Sequence, residues 1–431
     1  MKILDARKPK FWKELVRNPR SQGADSKVQS VTAGILAAVR KRGDAALVEF
    51  NNKFSRVNIP ANKLRIGKAQ IAAAKSVSPE LKKAIEFARA NIAEFARKSL
   101  RQGWSMKNRQ GAWVGEKFDP FQRVGCYVPG GTAPLVSTSL MTITLAKVAG
   151  VKGIVAVTPP PVNPGLLYAL DKAGATEIYQ VGGAQAIAAL AFGTKTIRPV
   201  NKIVGPGNAF VTEAKRQVFG FVSIDLLAGP SEVLIIADKS ANAAFIAADM
   251  LAQAEHGPGY QVYLVTDSDK VLKATQAELR KQTETLARKG IITAAQAASM
   301  ILIRAKNMAQ AIDIVNELAV EHVEVILSTF KQADNLARKL TTSGALFLGP
   351  YTPTVVGDFV AGPSHVLPTG AAGKSFAGLT VNQFQRRTSV IAYEKKTLRK
   401  SLDALLTISK AEQLDAHARS ADIRFFRQKS G

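Results

Sequence analysis

Short strand-like runs at residues 154–157, 177–181, 202–204 and 233–237 alternate with glycine turns and stretches of small, helix-compatible residues. Two of the turns, Gly182-Gly183-Ala184-Gln185 and Gly205-Pro206-Gly207-Asn208, come directly after strands. Alternation of this kind requires crossover connections, and therefore a parallel sheet with helices on both faces. Ligands of such sheets are expected beyond the carboxyl ends of the strands. A second set follows: a strand at 262–266, an amphipathic helix near 269–289, and strands at 300–303, 323–327 and 345–348. The fold class is α/β, with two parallel-sheet units in one chain.

What surrounds these units reads differently. Residues 1–22 form a short basic arm, and from Val28 to Gln102 apolar residues recur at three and four, as in helices. Residues 103–121 are polar with turns, and the end from Lys374 is polar and helical. A length of 431 residues accommodates two or three domains, and 46% hydrophobic residues is a globular composition. No apolar run approaches the roughly 18 residues of a membrane span. The N-terminus lacks a hydrophobic segment and carries Asp5 and Glu14, which argues against a secretory signal. One cysteine, Cys126, excludes an internal disulfide and a cysteine-built zinc site, so a reducing, cytoplasmic setting fits. The net charge of +26 raises nucleic-acid binding, but lysine and arginine are dispersed and no basic run or nucleic-acid motif occurs. Such scattered charge reads as a solvated surface.

The chemistry-bearing residues concentrate around four histidines. In DMLAQAEHGPGY (residues 249–260), Gln253 and His256 stand three apart at a helix end stopped by Gly257-Pro258-Gly259. An amide oxygen and an imidazole so placed can reach one divalent ion, although a capped polar helix end has the same sequence. His322 follows Glu321 at the head of a strand, with the composition of a general acid/base pair. Asp358, in VGDF, is a hard oxygen ligand or a turn aspartate, and His365 in GPSH follows seven residues later. His417 lies close after Glu412. Gln253, His256, Asp358 and His417 together would make a mixed N/O set suited to zinc or another first-row divalent ion. The glycine turns could attract a dinucleotide phosphate, but no G-x-G-x-x-G is present. Tyr127 before Pro129-Gly130-Gly131, Gln185 and Asn208 stand at such turns, where they can stack on or hydrogen-bond a nucleotide.

VGCYVPGGTAPLVST, VGGAQAIAALAFGT, IVGPGNAFV, DLLAGPSEVLIIAD, LAQAEHGPGYQV, GALFLGPYTP, GDFVAGPSHVLPTGA and AEQLDAH follow one another in the order and spacing of the histidinol dehydrogenases. The chain resembles that family over about residues 28–425. The resemblance implies two incomplete Rossmann-like domains with small terminal helical arms involved in dimerisation. Their expected bounds are 1–22 for the N-terminal arm, 23–126 plus 233–372 for the domain with the metal and catalytic pair, 127–232 for the NAD-binding domain, and 373–431 for the C-terminal arm. It implies a homodimer with one Zn²⁺ per subunit, oxidising L-histidinol through L-histidinal to L-histidine with two NAD⁺.

Carried across by the same resemblance, Gln253, His256, Asp358 and His417 are the zinc ligands, His417 reaching in from the partner subunit. Glu321 and His322 are the catalytic pair. Tyr127, Gln185 and Asn208 contact NAD⁺, and Ser231, Gln253, His256, His322, Asp358, Glu412 and His417 contact the substrate. His365 falls near the substrate without a definite role. Val320 stands where the family commonly has proline, and the basic charge is unlike its typical acidic members. Two other readings remain: a paralogous zinc- and NAD-dependent dehydrogenase of another small alcohol, which Glu412 beside His417 disfavours, and a basic binding protein on an enzyme-derived scaffold.

Overall fold

The computed structural model describes residues 1–16, 25–130 and 134–425. The N-terminal arm is thus described only in part, and Gly131 lies outside the described residues. In chain order the first strands are β1 (Lys2–Asp5), β2 (Trp104–Lys107), β3 (Trp113–Pro120), β4 (Arg123–Tyr127), β5 (Gly153–Val157), β6 (Glu177–Tyr179) and β7 (Lys202–Val204). They are followed by β8 (Ser223–Ile224), β9 (Glu232–Ala237), β10 (Gln261–Thr266), β11 (Met300–Arg304), β12 (His322–Ile326), β13 (Ala345–Leu348) and β14 (Gln385–Ala392). Residues 1–99 and 121–384 make one compact unit, and residues 100–120 and 385–431 another.

The first unit holds two sheets, both wholly parallel. The larger has the order β1-β11-β10-β9-β12-β13, the smaller β6-β5-β4-β7-β8. Their strands are near-continuous valine and isoleucine because helices cover both faces. In the larger sheet the period of two sorts side chains between two cores. Leu234, Ile236, Val323 and Val325 pack with the helix Met308–Leu318, whereas Val233, Ile235 and Ile326 pack with the helix Ala243–Ala254.

The packing departs from the chain-order grouping in three places. β1 lies within the expected basic arm, yet pairs with β11 at the edge of the larger sheet, burying Leu4. Helices Ser26–Arg42 and Asp44–Ser55, grouped by order with the larger sheet, instead cover the smaller one. Their Ile35, Val39, Leu47 and Phe50 share a core with Val155, Val157, Ile187 and Ile203. An amphipathic stripe specifies that a helix needs an apolar partner, not which sheet supplies it. The segment after Lys374, expected to be helical, contains β14, whose alternating Arg387, Ser389 and Ile391 give little periodic signal.

The second unit is a three-stranded antiparallel sheet, β14-β3-β2, followed by the helices Lys395–Arg399, Leu402–Ala411 and Asp415–Asp422. Among the described residues no helix is long and apolar enough to cross a membrane.

Chain direction positions the site. The smaller sheet ends in β8, and the chain passes straight into β9, which pairs with β12 inside the larger sheet. Glycine turns therefore crown the carboxyl ends of the smaller sheet. The larger sheet presents the amino ends of β9 and β12 instead.

Candidate active site

Glu321 immediately precedes β12, and His322 is its first residue, paired across the sheet with Val233 and Ala345. The glycine turns of the smaller sheet lie at its carboxyl ends, whereas this pair lies at the amino end of β12. Both side chains are 4% exposed. The backbone of Glu232, at the start of β9, grips them together. Its N–H donates to Glu321 Oε2 at 3.1 Å, and its carbonyl lies 3.2 Å from His322 Nδ1. Glu232 is itself buried, and its Oε2 accepts from the Gly370 N–H at 3.1 Å.

With Nδ1–H donating to that carbonyl, the imidazole keeps its Nε2 lone pair free on the side of Asp358, whose Oδ1 is 3.7 Å away. The ring is flanked by Phe347, centroids 5.7 Å apart. Burial lowers the His322 pKa to about 4, with His365 and His256 adding to the effect. Burial also pushes Glu321 well above the usual carboxylate range, against the hydrogen bonds from the Glu232 N–H and the Ser231 hydroxyl. Burial thus disfavours charge on both members of the pair, leaving the imidazole neutral near neutrality and making the Glu321 carboxyl harder to ionise.

Asp358 lies in the helix Thr354–Phe359, and burial alone raises it to about 6. His365 Nδ1 is 3.1 Å from the Asp358 carbonyl, and its Nε2 is 3.1 Å from the Thr138 hydroxyl. His365 therefore ties the end of the helix carrying Asp358 to the helix Val136–Val148, which follows β4. Gln253 is the penultimate residue of the helix Ala243–Ala254. That helix runs antiparallel to β9, so its C-terminal end returns to the amino edge where Glu321 and His322 lie. Gln253 is 8% exposed and its Nε2 is buried without a hydrogen-bond partner. His256, just past the helix, is lowered mainly by burial and sits 5.3 Å from the Tyr260 ring, centroid to centroid.

Tyr127 closes β4 and is buried; its hydroxyl accepts from the Gly183 N–H at 3.1 Å. Gln185 lies in the first turn of the helix Gly183–Phe192, 2% exposed, with Oε1 lacking a partner. Asn208 caps the helix Ala209–Val218 by accepting from the N–H groups of Phe210 and Val211, both at 3.1 Å. Its turn is held by a buried ion pair of Lys215 and Asp225. Asp225 accepts from the Gly205 N–H at 2.7 Å, and Lys215 donates to the Gly205 carbonyl at 2.9 Å. Glu412 and His417 belong to the second unit, exposed on either side of a turn where Gln413 has φ 59°.

Comparison with known proteins decides the family. The family model described as histidinol dehydrogenase matches residues 18–425. The chain belongs to the histidinol dehydrogenase family. Histidinol dehydrogenase from Listeria monocytogenes is 44% identical over 402 residues, covering 92% of this chain and 93% of the relative. The one from Bradyrhizobium diazoefficiens is 44% identical over 401 residues, covering 92% of each. The crystal structure of histidinol dehydrogenase from Elizabethkingia anophelis superposes with a TM-score of 0.93 at 33% identity, covering 98% of both chains. Membership makes the chain an oxidoreductase of histidine biosynthesis, with the α/β fold of that family.

The chemistry of this chain's own donors fits a divalent ion. No three His, Cys, Asp or Glu side chains converge as a metal group among the described residues. Gln253, however, aims a buried amide atom with no partner, and amide N and O are assigned by their surroundings. With the imidazole of His256 and a buried carboxyl at Asp358, it supplies the nitrogen and hard-oxygen donors that zinc accepts. Members of the site unassigned by sequence reasoning are Glu232, Thr138 and the Lys215–Asp225 pair. Glu232 was within view, as the acid of GPSE at the head of an apolar strand. Thr138, Lys215 and Asp225 carry no local signal, because their partners are remote in sequence.

Proposed function

We propose that this chain oxidises L-histidinol to L-histidinal and then to L-histidine, using two NAD⁺ and one Zn²⁺ per subunit. The observation that carries the reading is the buried Glu321–His322 pair, clamped by the Glu232 backbone with Asp358 beside the free imidazole nitrogen. Zinc would supply Lewis-acid polarisation and a fixed anchor for the substrate's nitrogens, held by Gln253, His256 and Asp358 together with His417 of a second copy. NAD⁺ would accept the electrons of each oxidation, against Tyr127, Gln185 and Asn208.

His322 is oriented to take the hydroxyl proton of histidinol at Nε2, because Nδ1–H is committed to the Glu232 carbonyl. Glu321 is the base for the second oxidation, drawing a proton from the water that attacks the aldehyde. It acts there in its carboxylate form, held by the hydrogen bonds from the Glu232 N–H and the Ser231 hydroxyl that oppose the effect of burial. Removal of a proton from the resulting hydrate falls again to His322. The burial of both groups keeps bulk water from the reactive aldehyde. Ser231, whose hydroxyl reaches Glu321, and Glu412 complete the substrate contacts.

The same reading makes the protein a homodimer with shared sites, resident in the cytoplasm, with no nucleic-acid partner. Limiting L-histidinol with excess NAD⁺ tests it: two NADH per histidinol, with histidine as product, is the expected result. Absence of NADH from folded, zinc-loaded protein overturns it.

A further inference from the structure

One buried carboxyl next to the site is used by no step above. Glu324, on β12, is 1% exposed. It lies two residues after His322 and so on the same face of the strand, toward the helix Ala243–Ala254. Its Oε1 accepts from the backbone N–H of Thr354 at 2.7 Å and from the Thr354 hydroxyl. Its Oε2 is buried with no backbone or neutral side-chain donor. The carboxyl of Asp249 is the group beside it, within reach of a shared proton. Two carboxyls bond to each other only across a proton. Burial, reinforced by each other's charge, raises Glu324 and keeps that proton in place.

The sequence offsets give this bridge its meaning. Asp249 stands four residues, one helical turn, before Gln253, and Thr354 stands four before Asp358. Glu324 thus joins three elements one step beneath the functional residue that each presents: Gln253 with His256, Asp358, and His322. Each of those elements ends or begins at the site. We propose that the Asp249–Glu324–Thr354 bridge is a positioning device that sets the separation of the two ligand-bearing helices about β12, and so tunes affinity for the divalent ion. This rests on the zinc reading above.

The test measures zinc affinity of the full-length protein by competition with a chromophoric chelator, alongside its circular dichroism. Wild type must bind zinc for the zinc reading to stand, which separates its failure from failure of the bridge. Glu324→Leu and Asp249→Leu fill similar space without hydrogen bonds, and each is expected to lower zinc affinity roughly 10- to 100-fold. Glu324→Gln accepts from Thr354 and donates to Asp249, and is expected to stay within about threefold of wild type. The double leucine variant should lose no more than the worse single one, since both break one bridge. Excess zinc should restore kcat in the leucine variants, a recovery that mere destabilisation of the fold would not give. Wild-type zinc affinity in folded Glu324→Leu, or a Glu324→Gln variant as weak as Glu324→Leu, overturns the proposal. If Glu324→Leu does not fold, Asp249→Leu, at a half-buried helix position, decides by the same criterion.

Discussion

Glu321 and His322 acquire their properties from a strand end. Placed before and at the first residue of β12, they meet the backbone of Glu232 rather than solvent, and burial disfavours charge on both. Their division of labour gives the first prediction. Glu321→Gln keeps the shape and the bond from the Glu232 N–H but cannot accept a proton from water. Oxidation of L-histidinal should fall by about 10²- to 10⁴-fold, and L-histidinol oxidation by much less. Single-turnover NADH formation from each substrate checks this; equal losses would remove Glu321 from the second step. His322→Asn should depress both oxidations by a comparable factor. A second residue, Glu177, makes a stability prediction. Hydrogen bonding to Arg123 lowers its carboxyl to about 2 from 4.5. A depressed carboxyl contributes stability that is fully present above its unfolded value of 4.5 and is lost as pH falls toward 2. Glu177→Gln should therefore cost about 2 kcal/mol at pH 7 and little near pH 2.5, read from denaturant midpoints at the two values.

At the scale of elements, the glycine turns of the smaller sheet are built for close approach of the backbone. Gly205 has φ +113°, and a Cβ there would lie 2.2 Å from the Tyr127 carbonyl oxygen. Gly205→Ala is thus strained in conformation and in space, and pushes apart β4 and the turn that Lys215 and Asp225 clamp. The proposed NAD⁺ contacts Tyr127 and Asn208 flank that turn. The expected result is a KM for NAD⁺ raised about tenfold or more, with stability lower by about 1–3 kcal/mol. An unchanged KM for NAD⁺ in the folded variant would separate the turn from cofactor binding. Sequence alone exposed these turns, because glycine after a strand is a local signal. It did not expose the ion pair beneath them, whose members are separated from Gly205 by ten and twenty residues.

For the whole molecule, the larger sheet contributes amino ends and the smaller sheet carboxyl ends, joined through His365 and Thr138. The proposed fourth ligand, His417, lies in the other unit, exposed on the helix Asp415–Asp422. Sharing across a dimer makes a mixing prediction. His417→Ala and Glu321→Gln are each expected to form almost no L-histidine as homodimers. Exchanged subunits should recover about a quarter of wild-type activity, because each mixed dimer holds one intact site. No recovery after verified exchange would place His417 in its own subunit's site or outside it. Acid should also loosen the metal-free protein: His365, buried and lowered to about 4 from 6.5, favours folding above 6.5 and forfeits that as pH falls through this window. His365→Gln should flatten the pH dependence of stability between those values, as measured by denaturant midpoints.

The sequence by itself determined the class of fold, since strand runs ending in glycine and separated by small-residue helices satisfy their backbone groups only as parallel, helix-covered sheets. It also carried the chemically rare residues, and the family, because side-chain types and their spacing along the chain are local facts. Tertiary structure decided what depends on distant partners. It sent the helices Ser26–Arg42 and Asp44–Ser55 to the smaller sheet, added β1 to the larger one, and turned part of the C-terminal segment into β14. It set the proposed catalytic pair at the amino edge of its sheet, because the two residues open β12 beside β9. It also created the burial that disfavours charge on Glu321, His322 and Glu324, since desolvation is a property of everything packed around a group and of nothing in its own sequence neighbourhood.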